Sequence, residues 1–528
     1  MGGTFLIKIR DTAANCMKLP WKIKLTSGFK LDLAANFAGV GWSFLMQIAC
    51  IPLYLRFLGI EAYGLIGFYL MLQAILQVVD LGLSPTMNRE MARYSVQPEK
   101  AAEARDLVRT LEAGYWLIGI AIGAVILAAA PAIAADWIKP SAIPVRDIQH
   151  TVMLMGVLAV FQWPVSFYQG GLMGLGRQVL YNGLSISLGT LANGGAVLIL
   201  WRVSPTIQAF FLWLVAVNAA KVVLLAICLW KSLPPATCSP QFDLRRVRNI
   251  WRFAAGMSGI TACALILTQS DKVILSKLFN LKLFGYYTLA GMFGVGLSMT
   301  VGSVFNTVFP RFSALVAAGN EEALKHLYHR CTQLMAVLIL PLAAVLALFS
   351  TDILQFWTRN TEVARNAGPI ASVLVVGTAI NGLMNLPYAL QLANGWTSLN
   401  LWLSIFLTLT LVPAIWFMAT HYGPVGAASV WIALNCCSMA ISVPLMHRRL
   451  LKGEMVRWFT EDVGLALAAV FVVVGSARAL IVSPLRPLMA VAILPIVLLS
   501  ALLAGAFAAP QIRNLLLEKL SKIPLDYA

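Results

Sequence analysis

Apolar residues in this chain fall into blocks of about 20 along almost its whole length, and that spacing constrains the fold more than any other feature. A helix rises about 1.5 Å per residue, so about 20 apolar residues cross a hydrocarbon core of about 30 Å. Inside hydrocarbon every backbone N–H and C=O needs a partner within the segment, which makes each block a transmembrane helix. About fourteen blocks can be placed, the first near 33–55 and the last near 487–508. Composition agrees, with 59% hydrophobic and 12% charged residues, about half the charged share of a soluble domain. A large soluble core would need amphipathic elements with long polar faces, and the sequence has almost none. The loops are too short for a folded soluble domain. The expected fold class is an all-α polytopic membrane protein with about 14 transmembrane helices.

A net charge of +17 raises the question of nucleic acid, and the placement of the charge answers it. The basic residues cluster in alternate short loops and at both ends: Arg89, Arg93, Arg105 and Arg109, then Arg245, Arg246, Arg248 and Arg252, then Arg448, Arg449, Lys452 and Arg457. Such a bias marks the cytoplasmic side, so both termini are expected there and no nucleic-acid partner is implied. Residues 1–32 form a basic arm without a continuous apolar core. It reads as a cytoplasmic segment lying on anionic lipid through Lys18, Lys22, Lys24 and Lys30, not as a cleavable signal. The eight cysteines show no metal-ligand spacing. Cys50, Cys263, Cys436 and Cys437 lie in apolar spans, as small hydrophobes do. His326 and His329, with no nearby cysteine, are expected at the surface, and Glu61 is expected to be a solvated turn residue.

The chain also repeats itself. Pro52 to Arg93 holds an apolar helix end, a turn at Leu58-Gly59 and Tyr63-Gly64, and a second helix carrying Gln73, Gln77 and Asp80 on one face. About 221 residues later comes a degenerate echo, Asp271 to Leu275 followed by Gly285-Tyr286-Tyr287, in which Gly64 falls on Gly285, Arg56 on Lys277 and Arg109 on Arg330. The offset drifts to about 217 by Trp431 and Asn435, which match Trp213 and Asn218. Six spans per half mean that equivalent helices cross in the same direction, related by an axis along the membrane normal. The expected organisation is a basic arm over 1–32, an N-lobe over 33–235, a C-lobe over 236–450, and two extra C-terminal helices with a tail over 451–528.

Pro52-Leu53-Tyr54, Leu58-Gly59, Tyr63-Gly64-Leu65, Asp80-Leu81-Gly82-Leu83 with Arg89, Asp271 to Leu275, Gly285-Tyr286-Tyr287, Gly174 to Arg177 and Ser350 to Leu354 stand in an order that resembles the multidrug/oligosaccharidyl-lipid/polysaccharide exporter superfamily. Within it, the chain most resembles the polysaccharide repeat-unit flippases (Wzx type, O-antigen and related). The resemblance implies two six-helix lobes around a central cavity in the bacterial cytoplasmic (inner) membrane. Its cargo would be a polyprenyl-pyrophosphate-linked oligosaccharide, its surroundings membrane lipids, and its partners the polysaccharide polymerase and chain-length machinery.

Such a head group can cross hydrocarbon only through a hydrated, cationic, hydrogen-bonding passage. Candidates for its lining are Asn36, Gln47 and Tyr54 in the first span, Gln73 and Gln77 in the second, Ser258, Thr261, Thr268, Gln269 and Lys272 in the seventh, and Asn381, Asn385 and Tyr388 in the tenth. For each, the alternative is a hydrogen bond gluing two helices. Lys221 lies about ten residues from Lys231 at the edge of its span, about 15 Å deep, and is a candidate for pyrophosphate or glycan contact or for a buried pair. Arg56 and Lys277 are either cavity cations or interface anchors. Asp80 and Asp271 are embedded carboxylates, either sites of proton or sodium coupling or halves of helix-locking ion pairs. No cofactor or metal motif is present, and no GxxxxGK[ST] loop for ATP. A peptidoglycan-precursor flippase or a cation-coupled drug antiporter of the same superfamily is the alternative function. A membrane polysaccharide polymerase or ligase is more distant, because the outer loops hold no paired carboxylates. The chain is expected not to be an enzyme.

Overall fold

The computed structural model describes residues 27–80, 83–95, 97–235, 241–242, 266, 268–481, 485 and 487–521. Most of the basic arm and most of the seventh span, including Ser258 and Thr261, lie outside the described residues. The first half consists of α1 (Ser27–Val79), α2 (Leu83–Tyr94), α3 (Ala101–Ala132, continued by a π turn to Trp137), α4 (Val145–Gly174), α5 (Gln178–Arg202) and α6 (Ile207–Ser232). The second consists of α7 (268–278), α8 (Leu281–Ala317), α9 (Glu321–Leu348), α10 (Ser350–Thr358), α11 (Thr361–Ala393) and α12 (Ser398–Leu450). After these come α13 (Leu465–Leu480), α14 (Pro487–Ala508) and α15 (Pro510–Ser521).

Eleven helices among the described residues are long and apolar enough to cross a membrane. Two of them are double. α1 bends at Gly59 (φ 79°) and α12 at Gly423 (φ 66°), left-handed values that cost glycine little. With the bends counted and α7 added, the described residues make two six-helix lobes and two appended helices.

The two halves turn the same corners by different means. At the repeat offset Gly59 corresponds to Asn280 and Gly423 to Thr206. Asn280 instead ends one helix and caps the next, accepting the Leu283 N–H at 2.9 Å, and Thr206 accepts that of Ala209 at 3.4 Å. Each cap contributes about 1 kcal/mol. One half bends where the other breaks.

The lobes meet through α1. Among helix pairs with substantial contact in the described residues, only α1–α8 and α1–α10 join the two lobes. Gly64 lies against the Leu281 carbonyl, and Gly285 lies against the Ile60 carbonyl. Since Ile60 and Leu281 are themselves repeat mates, a pseudo-two-fold axis runs through this contact. Two tryptophans hook across it. Trp137 Nε1 donates to Ser276 Oγ at 3.0 Å, and its repeat mate Trp357 donates to the Ile48 carbonyl at 3.1 Å.

Two expectations from the sequence fail here. Glu61 is not merely solvated: it accepts the N–H groups of Ser141 (2.6 Å), Ala142 (2.9 Å) and Ile143 (3.3 Å), folding the α3–α4 loop over the seam. Leu281 N–H then donates to the Lys139 carbonyl of that loop at 2.8 Å. His326 is exposed as expected, but His329 is fully buried. Its ring is bonded to Asp462 on one side and lies 3.1 Å from Glu454 on the other. Gln333 donates to Asp462 at 2.9 Å and accepts the Gln511 N–H at 2.8 Å. This network fastens the appended helices to α9. The histidine was misjudged because its partners lie more than a hundred residues away, where no local pattern reaches.

Candidate functional site

The contact between the lobes occupies only part of α8. Gly285, Thr288 and Gly296 face α1, with Gly67 against Thr288 and Phe44 against Gly296. Helical spacing carries the same face on through Met299, Ser303, Asn306 and Thr307. All four are exposed, and Gly302 has open space around it. The α1–α8 contact therefore runs from the Gly59 end to Gly296, and beyond it the same face of α8 is exposed and polar at Ser303, Asn306 and Thr307. Ser303, Asn306 and Thr307 were not singled out from sequence. Their spacing was the available signal, masked by the surrounding Val, Phe and Met.

A second polar feature lies inside the N-lobe. α1 ends at Val79, whereas its repeat mate α8 continues unbroken through the equivalent of Asp80, Val301. Asp80 restarts the chain: its carboxylate accepts the Ser84 N–H at 3.2 Å, the Tyr115 hydroxyl at 2.7 Å and the Ser166 hydroxyl at 3.3 Å. Its partners among the described residues are neutral donors, so the ion-pair alternative is corrected to a hydrogen-bonded hub. Against this break lies a cavity of about 410 Å³ between α1, α2 and α4. It brings Gln73, Gln77 and Asp80 together with Tyr69, Gln162, Trp163, Ser166 and Gln169. The α4 residues were not singled out from sequence, although Gln162, Ser166 and Gln169 repeat at i, i+4 and i+7, the same one-face spacing as Gln73, Gln77 and Asp80.

The other candidates scatter. Asn36 bonds to Asn182 and Asn381 to Asn435 (2.9 Å), each joining two helices. Tyr54 donates to the Asn193 carbonyl at 3.1 Å, while Asn385 returns to its own helix at Asn381. Gln47 is half-buried, Arg56 is exposed, and Lys277 stacks over Trp137 at 4.8 Å. Lys272 donates to Gln269 at 3.1 Å on α7. Asp271 accepts the Tyr287 hydroxyl at 2.8 Å, and its other oxygen is buried with no partner among the described residues. Lys221 is half-buried on α6, two turns before Leu229, which packs on Gly171 of α4. A buried carboxylate that sequence reading passed over, Glu112 of α3, accepts Tyr168 (2.7 Å) and Trp230 (3.2 Å) and lies 3.5 Å from Arg109.

A family model described as "Polysaccharide biosynthesis protein" matches residues 54–358, more than half of the chain. The chain belongs to this family. A Shigella flexneri protein described as "Putative O-antigen transporter" is 20% identical over 398 residues, covering 75% of this chain and 92% of that one. Among solved structures, the lipid II flippase MurJ in its inward closed conformation matches with a TM-score of 0.64 at 13% identity, covering 93% of this chain and all of that one. An inward-facing multidrug resistance MATE family transporter of the MOP superfamily matches with a TM-score of 0.62 at 14% identity, covering 79% and 96%. The family member described here is thus a multi-pass membrane protein with the exporter-superfamily fold. The resemblance drawn from Pro52 to Gly82 holds for fold and family alike.

Proposed function

We propose that this protein flips a polyprenyl-pyrophosphate-linked oligosaccharide repeat unit across the bacterial cytoplasmic membrane by alternating access, for assembly of a surface polysaccharide. The observation that carries the reading is the divided face of α8, which seals against α1 from Gly285 to Gly296 and is polar and open from Ser303 to Thr307. A passage closed at one end and open at the other is what rocking of two lobes requires. Both termini are cytoplasmic in this scheme, so the Gly59 end is the periplasmic gate and the conformation is inward-facing. The lobes over 33–235 and 236–450 are the rocking bodies.

Lys221 and Lys272 supply positive charge for the pyrophosphate, and Asp80 and Asp271 are the groups available for proton or sodium coupling. The half-satisfied carboxylate of Asp271 suits that role better than the three-donor hub of Asp80, because a vacant lone pair can take a proton or cation without breaking a bond. The polymerase and chain-length machinery receive the product on the far side.

The test is deletion of the gene, followed by analysis of surface glycan and of lipid-linked intermediates in the cell. Loss of the polysaccharide with lipid-linked repeat units stalled inside is the expected result. Unchanged surface polysaccharide would overturn the reading, and arrested growth with stalled peptidoglycan precursor would replace it with that substrate.

A further inference from the structure

We propose that the N-lobe cavity is a glycan subsite that reads uncharged sugar hydroxyls, with Gln77 and Gln162 setting its specificity; this rests on the flippase reading above. The cavity, about 410 Å³, is in the size range of small-molecule sites. Among the described residues its walls hold no lysine, arginine or histidine, so none of them neutralises a pyrophosphate. The one carboxylate, Asp80, is already held by three donors and repels an acidic sugar.

The walls also present N–H donors: the Trp163 indole N–H is buried with no partner among the described residues, and Trp163 is only 7% exposed. The amides of Gln77 and Gln162 have no partner among the described residues. A side-chain amide offers two donors and an acceptor in one plane, which matches adjacent sugar hydroxyls. The neighbouring polar groups are fixed in advance, since Gln73 donates to Tyr69 at 2.6 Å and Gln169 accepts from Tyr181 at 2.7 Å. Fixed partners lower the ordering cost of binding. Tyr69 and Trp163 add aromatic surface for the apolar faces of a sugar ring.

The polar set belongs to one half only. At the repeat offset Tyr69, Gln73, Gln77 and Asp80 correspond to Ala290, Gly294, Ser298 and Val301. Gln162 and Gln169 correspond to Leu383 and Leu390. Helix-joining pairs such as Asn36–Asn182 are confined to one half as well, so what points to a ligand is the gathering of unpartnered donors of Gln77, Gln162 and Trp163 around one cavity.

The experiment uses the full-length protein in nanodiscs with two probes, bare polyprenyl pyrophosphate and the same lipid carrying a neutral trisaccharide. Gln77→Leu with Gln162→Leu is expected to weaken the glycan-bearing lipid about tenfold, since apolar walls leave hydroxyls unpaired, and to leave the bare lipid within about twofold. Unchanged binding of the glycan-bearing lipid, or an equal loss on both probes, would overturn the subsite. Should the double variant not fold, Gln162→Asn, which withdraws the amide by one methylene, is read on the same two probes. Wild-type protein that binds neither lipid would instead sink the flippase reading and the subsite's substrate with it.

Discussion

Gly64 and Gly285 occupy the same place in the two halves, and each sits against a backbone carbonyl of the other's helix, Leu281 for one and Ile60 for the other. A side chain at either position would meet backbone, which cannot swing aside. Small residues at such a crossing let two membrane helices approach until dispersion contacts hold them. The contact is reciprocal, so one motion of one lobe against the other breaks both halves of it together.

Gly64→Val or Gly285→Val is therefore expected to hold the Gly59 end open. Overpacking of this kind costs about 1–3 kcal/mol, enough to shift a two-state equilibrium about 5- to 150-fold. A cysteine placed at Ser141 in a cysteine-free background should label faster with a membrane-impermeant maleimide in either variant. Gly291→Val is the control, because a Cβ there meets nothing within 4 Å. Equal labelling in all three variants would show that the seam does not gate.

The loop over the seam gives a second test. Glu61 collects three backbone N–H groups, whereas its repeat mate Lys282 makes an ion pair with Glu362 at 2.7 Å between side chains 40% and 60% exposed. Exposed pairs contribute about 0–1 kcal/mol, and hydrogen bonds to a charged group about 1.5–3. Glu61→Ala should raise hydrogen exchange at Ser141 to Ile143 about tenfold or more, Glu61→Gln less, and Lys282→Ala hardly at all. A larger effect from Lys282→Ala would reverse the assignment.

How far the sequence could be read depends on the range of the interaction. The apolar blocks and the Gly64–Gly285 offset are patterns along the chain, and they led directly to the helices and the two lobes. Gln73, Gln77 and Asp80 share a face of one helix, so their grouping was visible, but the sequence reading put Gln73 and Gln77 on the passage between the lobes, whereas the structure gathers all three at a cavity inside the N-lobe. Asn36 and Asn381 looked the same in sequence, yet each bonds to an asparagine on another helix. Hydropathy cannot distinguish glue from lining, because both place a polar group inside an apolar span. His329 and Glu61 were misjudged for a related reason: their partners come from Asp462 and from the loop at Ser141, and those approaches exist only after folding.

The buried network at His329 makes a stability prediction. Asp462 is a fully buried carboxylate bonded to His329 and Gln333, and removing it leaves buried polar groups unpaired at a cost of about 1–3 kcal/mol each. Asp462→Ala should markedly lower the thermal midpoint in detergent. Glu322→Ala, which breaks a pair whose carboxylate side chain is 88% exposed, should change it little. His329→Leu combined with Asp462→Leu should recover part of the loss, since replacing both partners by apolar groups leaves fewer buried polar groups unpaired. Additive losses in the double variant would mean that the two residues act separately.

Lys221 and Lys272 separate transport from packing. Lys221 has no partner among the described residues, and Lys272 holds only the neighbouring Gln269 of its own helix. Neither cation joins two helices, so Lys221→Ala and Lys272→Ala should leave the amount of protein in the membrane unchanged while stopping surface polysaccharide. Arginine at either position keeps the charge and should restore part of the activity, more where the phosphate is met as a point charge than in a fixed fork. Asn381→Ala has the opposite signature. It removes an interhelical bond, which in membranes is worth about 0.6 kcal/mol, so stability should fall slightly and transport persist. If alanine at Lys221 and Lys272 lowers protein level and polysaccharide in proportion, the two lysines are structural, and the positive charge for the pyrophosphate has to come from elsewhere in the cleft.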